Sequence, residues 1–238
     1  MSNSVIKNLL TKSFQAFKLR PMEGETSETI QAAFISELTH LQEAVRAVNA
    51  EDLSLDDTVK SIPKSNQQPV TFVDIFENSM MTMMVIIMKP GSRIPLHDHP
   101  NMYGMIKVLA GQIRVQSYTL LDEPGKIMDH HTPKNTVLSA LRMPETVLSK
   151  VSSPVTLSPE IRNVHEIECI CGESGDKNYA AFLDILSPPY PDADSCHYFR
   201  AEDHSQRTDG SGELRKCRLV QIECPKDYFT ACSSVGPF

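Results

Sequence analysis

The sequence predicts a mainly β protein that begins with a helical segment. In the first fifty residues apolar side chains recur every three or four positions, which is the period of an α-helix. From Val70 onwards, short apolar runs alternate with breaks rich in Pro, Gly, Asn and Asp, a texture typical of an antiparallel sandwich or barrel. We therefore expect a helical segment over residues 1–62, packed on a β barrel over residues 63–238.

The helical segment predicts two helices. Residues 1–22 combine apolar positions with basic residues and no acid, which fits an ordinary first helix and also a mitochondrial targeting peptide. A polar turn at Glu51–Asp57 and a linker at Pro63–Pro69 then lead to the barrel. The second helix has Thr26 or Ser27 as its N-cap and an apolar face formed by Ile30, Phe34, Leu38, Leu41, Val45 and Val48.

The barrel strands are predicted from the apolar runs that lie between the turn residues. Their short length and regular interruption favour β-strands over helices. The runs are Thr71–Phe76, Met80–Met88, Gly104–Leu109, Ile113–Leu120, Val137–Leu141, Val155–Leu157, Ala180–Ile185 and Leu219–Glu223.

Composition excludes several classes of function. The formal net charge of −7 argues against a nucleic-acid or anionic-membrane binder. Both partners are negatively charged, and an acidic protein surface does not neutralise that charge. No secretory signal or membrane span is visible, so we expect a cytoplasmic protein with reduced thiols. We also expect a monomer, because no oligomerising apolar stripe is evident beyond the N-terminal helix. None of the six cysteines forms a Cys-x-x-Cys pair, which makes a structural zinc site improbable.

One histidine pair is the strongest chemical signal. His97 and His99 are two residues apart, so on a strand their side chains share a face while Asp98 turns away. Two imidazoles on one face can converge on a metal ion. His165 and His197 remain as candidates for a third ligand. His40 lies on a predicted helix, and His130, His131 and His204 lie in polar turns or loops.

The surroundings of this pair resemble the first metal motif of the cupin superfamily. Gly91, Gly104 and Gly111 frame the two histidines as in that motif. The resemblance implies a double-stranded β-helix, or jelly-roll, barrel with a metal inside. Many cupins have a Glu between the second His and the middle Gly, but residues 100–104 contain none. The resemblance therefore implies three neutral histidines, with His165 supplied by a second motif.

Four segments in order resemble the thiol dioxygenase family. They span residues 91 to 199, and two departures, Asn101 and Ala110, fall at positions that hold no ligand. The segments are Pro95–Pro100 with Lys107–Gly111, Asn163-Val164-His165, Phe182–Tyr190 and Cys196–Phe199.

This resemblance implies an Fe(II) enzyme that uses O2 to convert a thiol into a sulfinic acid. The implied ligands are His97, His99 and His165. In a site without a carboxylate ligand, the positive charge of the metal is not compensated by the protein, so a substrate thiolate can compensate it. The implied substrates are cysteamine and the N-terminal Cys of proteins, whose oxidation would couple oxygen level to protein lifetime.

The resemblance implies roles for four further residues, and the position of Tyr103 just after the His pair indicates a fifth. Asp184 is expected to hold the substrate ammonium or to orient a ligand imidazole, and otherwise to be a salt-bridged strand residue. Tyr190 is expected to hydrogen-bond near the pocket, or else to pack in its Pro-Pro-Tyr turn. Cys196 and Tyr198 are candidates for a thioether crosslink. Tyr103 is expected to line the pocket.

Two rival interpretations stay open at this point. One is a non-catalytic, regulatory cupin that binds a metal or a small ligand. The other is a different cupin enzyme that uses nickel or manganese. Asp184, Tyr190 and the segment from Cys196 to Tyr198 favour the thiol dioxygenase, because a generic cupin does not need them.

Overall fold

The computed structural model describes residues 2–21, 27–63, 67–121, 136–170, 178–192, 195–202 and 215–234. His130, His131, Cys171 and His204 lie outside the described residues, as does Thr26. The helices are α1 (Ser2–Phe17), α2 (Glu28–Ala47) and α3 (Leu55–Ser61). None of these helices is both long enough and apolar enough to cross a membrane.

Thirteen strands follow in the described part of the chain. They are β1 (Val70–Glu77), β2 (Thr82–Met88), β3 (Arg93–Asp98), β4 (Tyr103–Ala110), β5 (Gln112–Leu120), β6 (Val137–Arg142), β7 (Thr146–Ser149), β8 (Val155–Leu157), β9 (Val164–Cys169), β10 (Ala180–Ser187), β11 (Tyr198–Glu202), β12 (Arg215–Ile222) and β13 (Thr230–Ser234).

The strands form two sheets that enclose an apolar interior. The six-stranded sheet has the order β13-β1-β2-β10-β4-β8, and the seven-stranded sheet has the order β6-β12-β11-β3-β9-β5-β7. Neighbouring strands are antiparallel except β1 and β13, which are parallel. Phe182 and Ile106 of the first sheet meet Ile94, Val115 and Ile167 of the second. The predicted fold class, a mainly β cupin barrel preceded by helices, is confirmed.

The helices cover the outer face of the six-stranded sheet. Phe34 and Leu41 of α2 belong to the same buried cluster as Val85 of β2 and Leu183 of β10. The predicted cap is present, since the Ser27 side chain accepts a hydrogen bond from the backbone of α2. The division of the chain at residues 62 and 63 stays a prediction.

Three local expectations are wrong. Ile30 begins the predicted apolar stripe but is 38% exposed, because the first turn of α2 extends beyond the sheet. The expected polar turn ends in helix α3, with Leu55 and Thr58 buried. Tyr103 does not line the pocket, because its ring packs edge-to-face on Phe34 at a centroid distance of 4.7 Å.

The glycine frame serves two purposes. Gly91 and Gly111 adopt positive φ, as expected for tight turns. Gly104 is required for packing instead, since a Cβ there would lie 2.8 Å from a Leu186 side-chain carbon and 2.9 Å from Leu157. Asn101, a departure from the family pattern, has a φ of 53°, which asparagine tolerates better than most residues.

Candidate metal centre

A β-bulge in β3 turns His97 into the barrel. β3 and β9 pair as Ile94 with Ile167 and as His97 with His165. Three steps along β3 therefore match two steps along β9, so β3 carries one extra residue. Regular alternation over three steps would place His97 on the opposite face from Ile94, which is part of the interior cluster, and the bulge offsets this.

Three histidines bring their ring nitrogens together inside the barrel. The candidate ligand atoms of His97, His99 and His165 all lie within 4.8 Å of one another, and all three side chains are buried. His99 follows the end of β3 and is held by its backbone N–H, which donates to the carbonyl of Asn163 at 2.8 Å. His197, the other candidate ligand, is not part of this group among the described residues.

The hydrogen bond of His97 fixes which of its nitrogens can bind a metal. Its Nδ1 lies 2.8 Å from the carbonyl oxygen of Pro95. A carbonyl only accepts, so Nδ1 carries the proton and Nε2 carries the free lone pair. Histidine ligands of metals are commonly oriented by such a bond to a backbone carbonyl.

Tyr190 fixes His99 in the same way. The Tyr190 hydroxyl donates its one proton to the carbonyl of Asp98. Its oxygen must therefore accept from Nδ1 of His99, which is 3.0 Å away. Nε2 of His99 is left with a lone pair and points at Nε2 of His165, at 3.3 Å. A cation bound between these nitrogens satisfies them together.

The protonation state of the three histidines suits a divalent metal. Burial lowers the pKa of His97, and burial together with the neighbouring histidines lowers the pKa of His99 and of His165 well below the ordinary value. The rings are therefore neutral near pH 7 and available as ligands. Three neutral imidazoles that converge on one point fit a transition metal with open coordination positions.

The nearby carboxylate of Asp98 is engaged elsewhere. Its Oδ1 accepts the backbone N–H of His197 at 2.8 Å, and its Oδ2 lies 3.0 Å from Nδ1 of the same residue. Both side chains are buried. This bond and burial act in opposite directions on His197, and the bond wins, so the pKa of His197 is raised. Among the described residues, no carboxylate joins the three histidines.

Tyr198 and Cys196 lie beside the histidines. Tyr198 is the cross-strand partner of His97 in the pairing of β11 with β3, so their side chains share a face. Cys196 lies close enough to Tyr190 and Tyr198 for their side chains to affect the pKa of its thiol. Burial raises the pKa of this thiol to about 12, so it stays protonated at neutral pH.

Asp184 brings a carboxyl group from the opposite sheet. It pairs with Met84 and Ile106 in the middle of the six-stranded sheet and is 8% exposed. It has the same strand parity as Phe182, which belongs to the interior cluster, so it also faces inward. Burial raises its pKa to about 7, and its charge in turn raises the pKa of Tyr190.

A small cavity touches the histidine cluster on its apolar side. It has room for about one water molecule and is lined by His165 together with Ile106, Val115, Leu157 and Arg162. The metal-facing space therefore continues into the apolar interior.

Two positioning contacts were missed by the sequence analysis. The first is the pair of hydrogen bonds between Asp98 and His197, which we call the clamp. It joins β3 to the segment before β11, where the two strands pair at a single position, Tyr198 with His97. Arg20 donates to Oγ of Ser187 at 2.9 Å, and Ser187 donates to the Met80 carbonyl at 2.8 Å. The Asp within the His-x-His motif was a signal for the clamp, whereas no local pattern indicated Arg20.

The chain matches a known protein family and is similar to mammalian proteins. The family model PCO_ADO matches residues 38–237 of the chain. The 2-aminoethanethiol dioxygenase of Mus musculus is 33% identical over 223 residues, which cover 85% of this chain and 84% of that protein. The Homo sapiens 2-aminoethanethiol dioxygenase is 33% identical over 189 residues, 72% of this chain and 67% of that protein.

A plant protein is a more distant relative. Plant cysteine oxidase 1 of Arabidopsis thaliana is 24% identical over 171 residues, which cover 68% of this chain and 54% of that protein. The family match begins inside α2 and includes the whole barrel.

Proposed function

Because the chain belongs to the PCO_ADO family, as its motifs predicted, we propose that it is an Fe(II)-dependent thiol dioxygenase acting on cysteamine and on the N-terminal Cys of proteins. Thiol dioxygenase activity agrees with the names of its relatives, 2-aminoethanethiol dioxygenase and plant cysteine oxidase. The metal, Fe(II), and the two substrates are part of this proposal. Both substrates carry a thiol two carbons from an amine.

The observation that carries this proposal is a buried set of three neutral histidines without a carboxylate. Such a set leaves the charge of a divalent metal uncompensated, and a thiolate compensates it well. When bound, Fe(II) supplies the redox chemistry that lets O2 react with a thiol. The overall reaction adds both oxygen atoms to sulfur, so that RSH and O2 give RSO2H without another reductant.

We assign recognition of the substrate amine to Asp184. Its carboxyl faces the interior from the sheet opposite the histidines, and we propose that a short aminothiol spans the two. An ammonium group lowers the pKa of a nearby carboxyl, which ionises Asp184 at the moment of binding. The pKa of about 7 in the free protein means that this ionisation costs little near neutral pH.

We assign the orientation of the metal ligands to Tyr190, which touches both His99 and the Asp98 carbonyl. Cys196 and Tyr198 are proposed to form the thioether that the resemblance implies. The two residues lie close together, as this reaction requires, since the Tyr198 side chain affects the pKa of the Cys196 thiol. Forming the bond removes two hydrogens, with O2 as the electron acceptor.

The test is anaerobic loading of the full chain with Fe(II), followed by O2 uptake with cysteamine and with a Cys-initiated peptide. We expect thiol-dependent uptake and a sulfinic acid product that is heavier than the thiol by two oxygen atoms. Loading with Ni(II) or Mn(II) in parallel tests the choice of iron. Metal binding without uptake on either substrate would leave a non-catalytic cupin as the better description.

Placement in the cell and oligomeric state belong to the same proposal. We propose a cytoplasmic monomer, divided into a helical segment over residues 1–62 and a catalytic barrel over 63–238. Support for treating the helices as a cover comes from their shared apolar cluster with the six-stranded sheet. Size-exclusion chromatography with light scattering checks the monomer.

A further inference from the structure

A second cysteine, Cys224, lies at the end of the strand next to Cys196. β11 and β12 are antiparallel, and their terminal pair is Tyr198 with Ile222. Cys196 and Cys224 each lie two residues beyond this pair, one before β11 and the other after β12. Paired strands lie about 4.7 to 4.9 Å apart, so a continuation of this spacing would bring the two Cα atoms within the range that a disulfide spans.

Tyr198 lies near both thiols. Cys196 and Cys224 each add to the effect of burial in raising the pKa of its hydroxyl. The ring centroid of Tyr228 is 6.1 Å from that of Tyr198, and the same two cysteines add to burial in raising the pKa of the Tyr228 hydroxyl. Both sulfur atoms therefore lie close to the same pair of phenols.

The accessibility of the two cysteines suits an oxidation that starts outside. Cys224 is exposed, whereas Cys196 is partly buried behind it. Of the other cysteines described, Cys169 and Cys217 are buried, and exposed Cys232 lies on β13 of the other sheet. Of this pair, Cys224 is therefore the one that an oxidant reaches first, and attack by Cys196, whose pKa burial raises to about 12, is the slow second step.

We propose that Cys196 and Cys224 form a reversible disulfide when the protein meets a peroxide. Peroxide converts the Cys224 thiol into a sulfenic acid with release of one water, and the Cys196 sulfur displaces the second water. Two thiols and one H2O2 thus give one S–S bond and two H2O. The disulfide itself does not depend on the proposed function, but its consequence for activity does.

The consequence is a choice between two fates for one sulfur atom. Cys196 cannot hold both a disulfide to Cys224 and a thioether to Tyr198. The disulfide also replaces the Cys196 thiol, which lies near Tyr190 and Tyr198, with a sulfur that carries no proton. Since Tyr190 orients His99, oxidation of this pair acts on the metal centre through one intervening residue.

Peptide mapping of the full, metal-free chain tests the disulfide directly. Trypsin releases Cys196 within residues 178–200, Cys224 within 219–226 and Cys232 within 227–238. After treatment with H2O2 and alkylation, we expect 178–200 linked to 219–226 and separated by dithiothreitol. A thioether would instead remove two hydrogens within 178–200 and resist dithiothreitol.

Variants separate the proposal from general oxidation. C224S should abolish the linked pair, whereas the matched control C232S should keep it. A link to residues 227–238, or free thiols in both peptides at a dose that oxidises Cys232, would overturn the proposal. In iron-loaded protein, peroxide should reduce thiol-dependent O2 uptake, dithiothreitol should restore it, and C224S should resist the loss. If the mapping succeeds while no preparation takes up O2, the disulfide stands and the proposed function fails.

Discussion

The two sheets of the barrel differ in what they bury. The central strands of the six-stranded sheet are apolar on both faces, with one face against the helices and the other against the interior. The seven-stranded sheet places three histidines inside and the clamp of Asp98 with His197 beside them. Asp184 is the interior carboxyl of the apolar sheet. The six-stranded sheet therefore mainly supports the fold, and the seven-stranded sheet carries the candidate metal ligands.

The largest expected effect comes from removing a ligand of the seven-stranded sheet. His165→Ala should abolish metal binding and O2 uptake, because two imidazoles rarely retain a divalent metal without a third ligand. Metal analysis after gel filtration measures the loss. His40→Ala, on the exposed face of α2, is the control.

His197→Ala sharpens this test. It should keep the metal but lower the free energy of unfolding by about 1 to 3 kcal/mol, because Oδ2 of the buried Asp98 carboxylate loses the imidazole, while Oδ1 keeps the backbone N–H of residue 197. Loss of metal from this variant and not from His165→Ala would reverse our ligand assignment.

The next effect concerns Asp184, a buried carboxyl of the supporting six-stranded sheet. Burial raises the pKa of Asp184 from 3.8 to about 7. The folded protein therefore holds this proton more tightly than the unfolded chain does. The stability present at pH below 4 is lost progressively as the pH rises to 7. Relative to Asp184→Asn, the wild type should lose about 3 kcal/mol between pH 5 and pH 8.

Urea unfolding of the metal-free proteins measures this difference. Asp57→Asn, at an exposed position of α3, should follow the wild type across the same range. Asp184→Asn should also weaken uptake with cysteamine, so that the more stable protein at pH 8 is the poorer enzyme. Parallel pH profiles for wild type and Asp184→Asn would contradict a carboxyl kept protonated by burial.

A smaller effect is expected where the loop after β10 reaches across to the other sheet. Tyr190→Phe removes the partner of both His99 Nδ1 and the Asp98 carbonyl. Groups that orient metal ligands typically contribute about 10-fold to 100-fold in metal affinity. Competition with a chelator measures the affinity, and Tyr179→Phe, whose hydroxyl bonds to Asp56 on α3, should leave it unchanged.

The smallest expected effect concerns the hydrogen bond from Arg20 to Ser187, which we call the brace, at the start of the loop after β10. Arg20→Met removes the hydrogen bond to Ser187, two residues before the Pro that precedes Tyr190. We expect a loss of about 1 kcal/mol in unfolding free energy and a weaker metal affinity in the same direction as Tyr190→Phe. Arg200→Met, which breaks an exposed pair with Glu202, should cost less than about 0.5 kcal/mol. An unchanged metal affinity in Arg20→Met would limit the brace to stability.

Sequence patterns predicted what depends on period and composition. The cap at Ser27, the helices and most strands follow from local chemistry, and the fold class is confirmed. Contacts between distant segments were not predictable in this way. The clamp of Asp98 with His197 joins residues 99 positions apart, and Arg20 reaches Ser187 across 167 positions. The burial that shifts the pKa of Asp184 likewise exists only once both sheets are assembled.

The bulge in β3 leaves the spacing before His97 open to change. Deleting one residue between Ile94 and His97 would leave two steps on β3 opposite the two steps on β9, so regular pairing would still place both side chains on the interior face. An alignment that permits a one-residue gap at this point therefore admits proteins in which the histidine pair is still assembled. Searches for functional relatives should allow that gap, and an equivalent strand without the bulge is one deletion away.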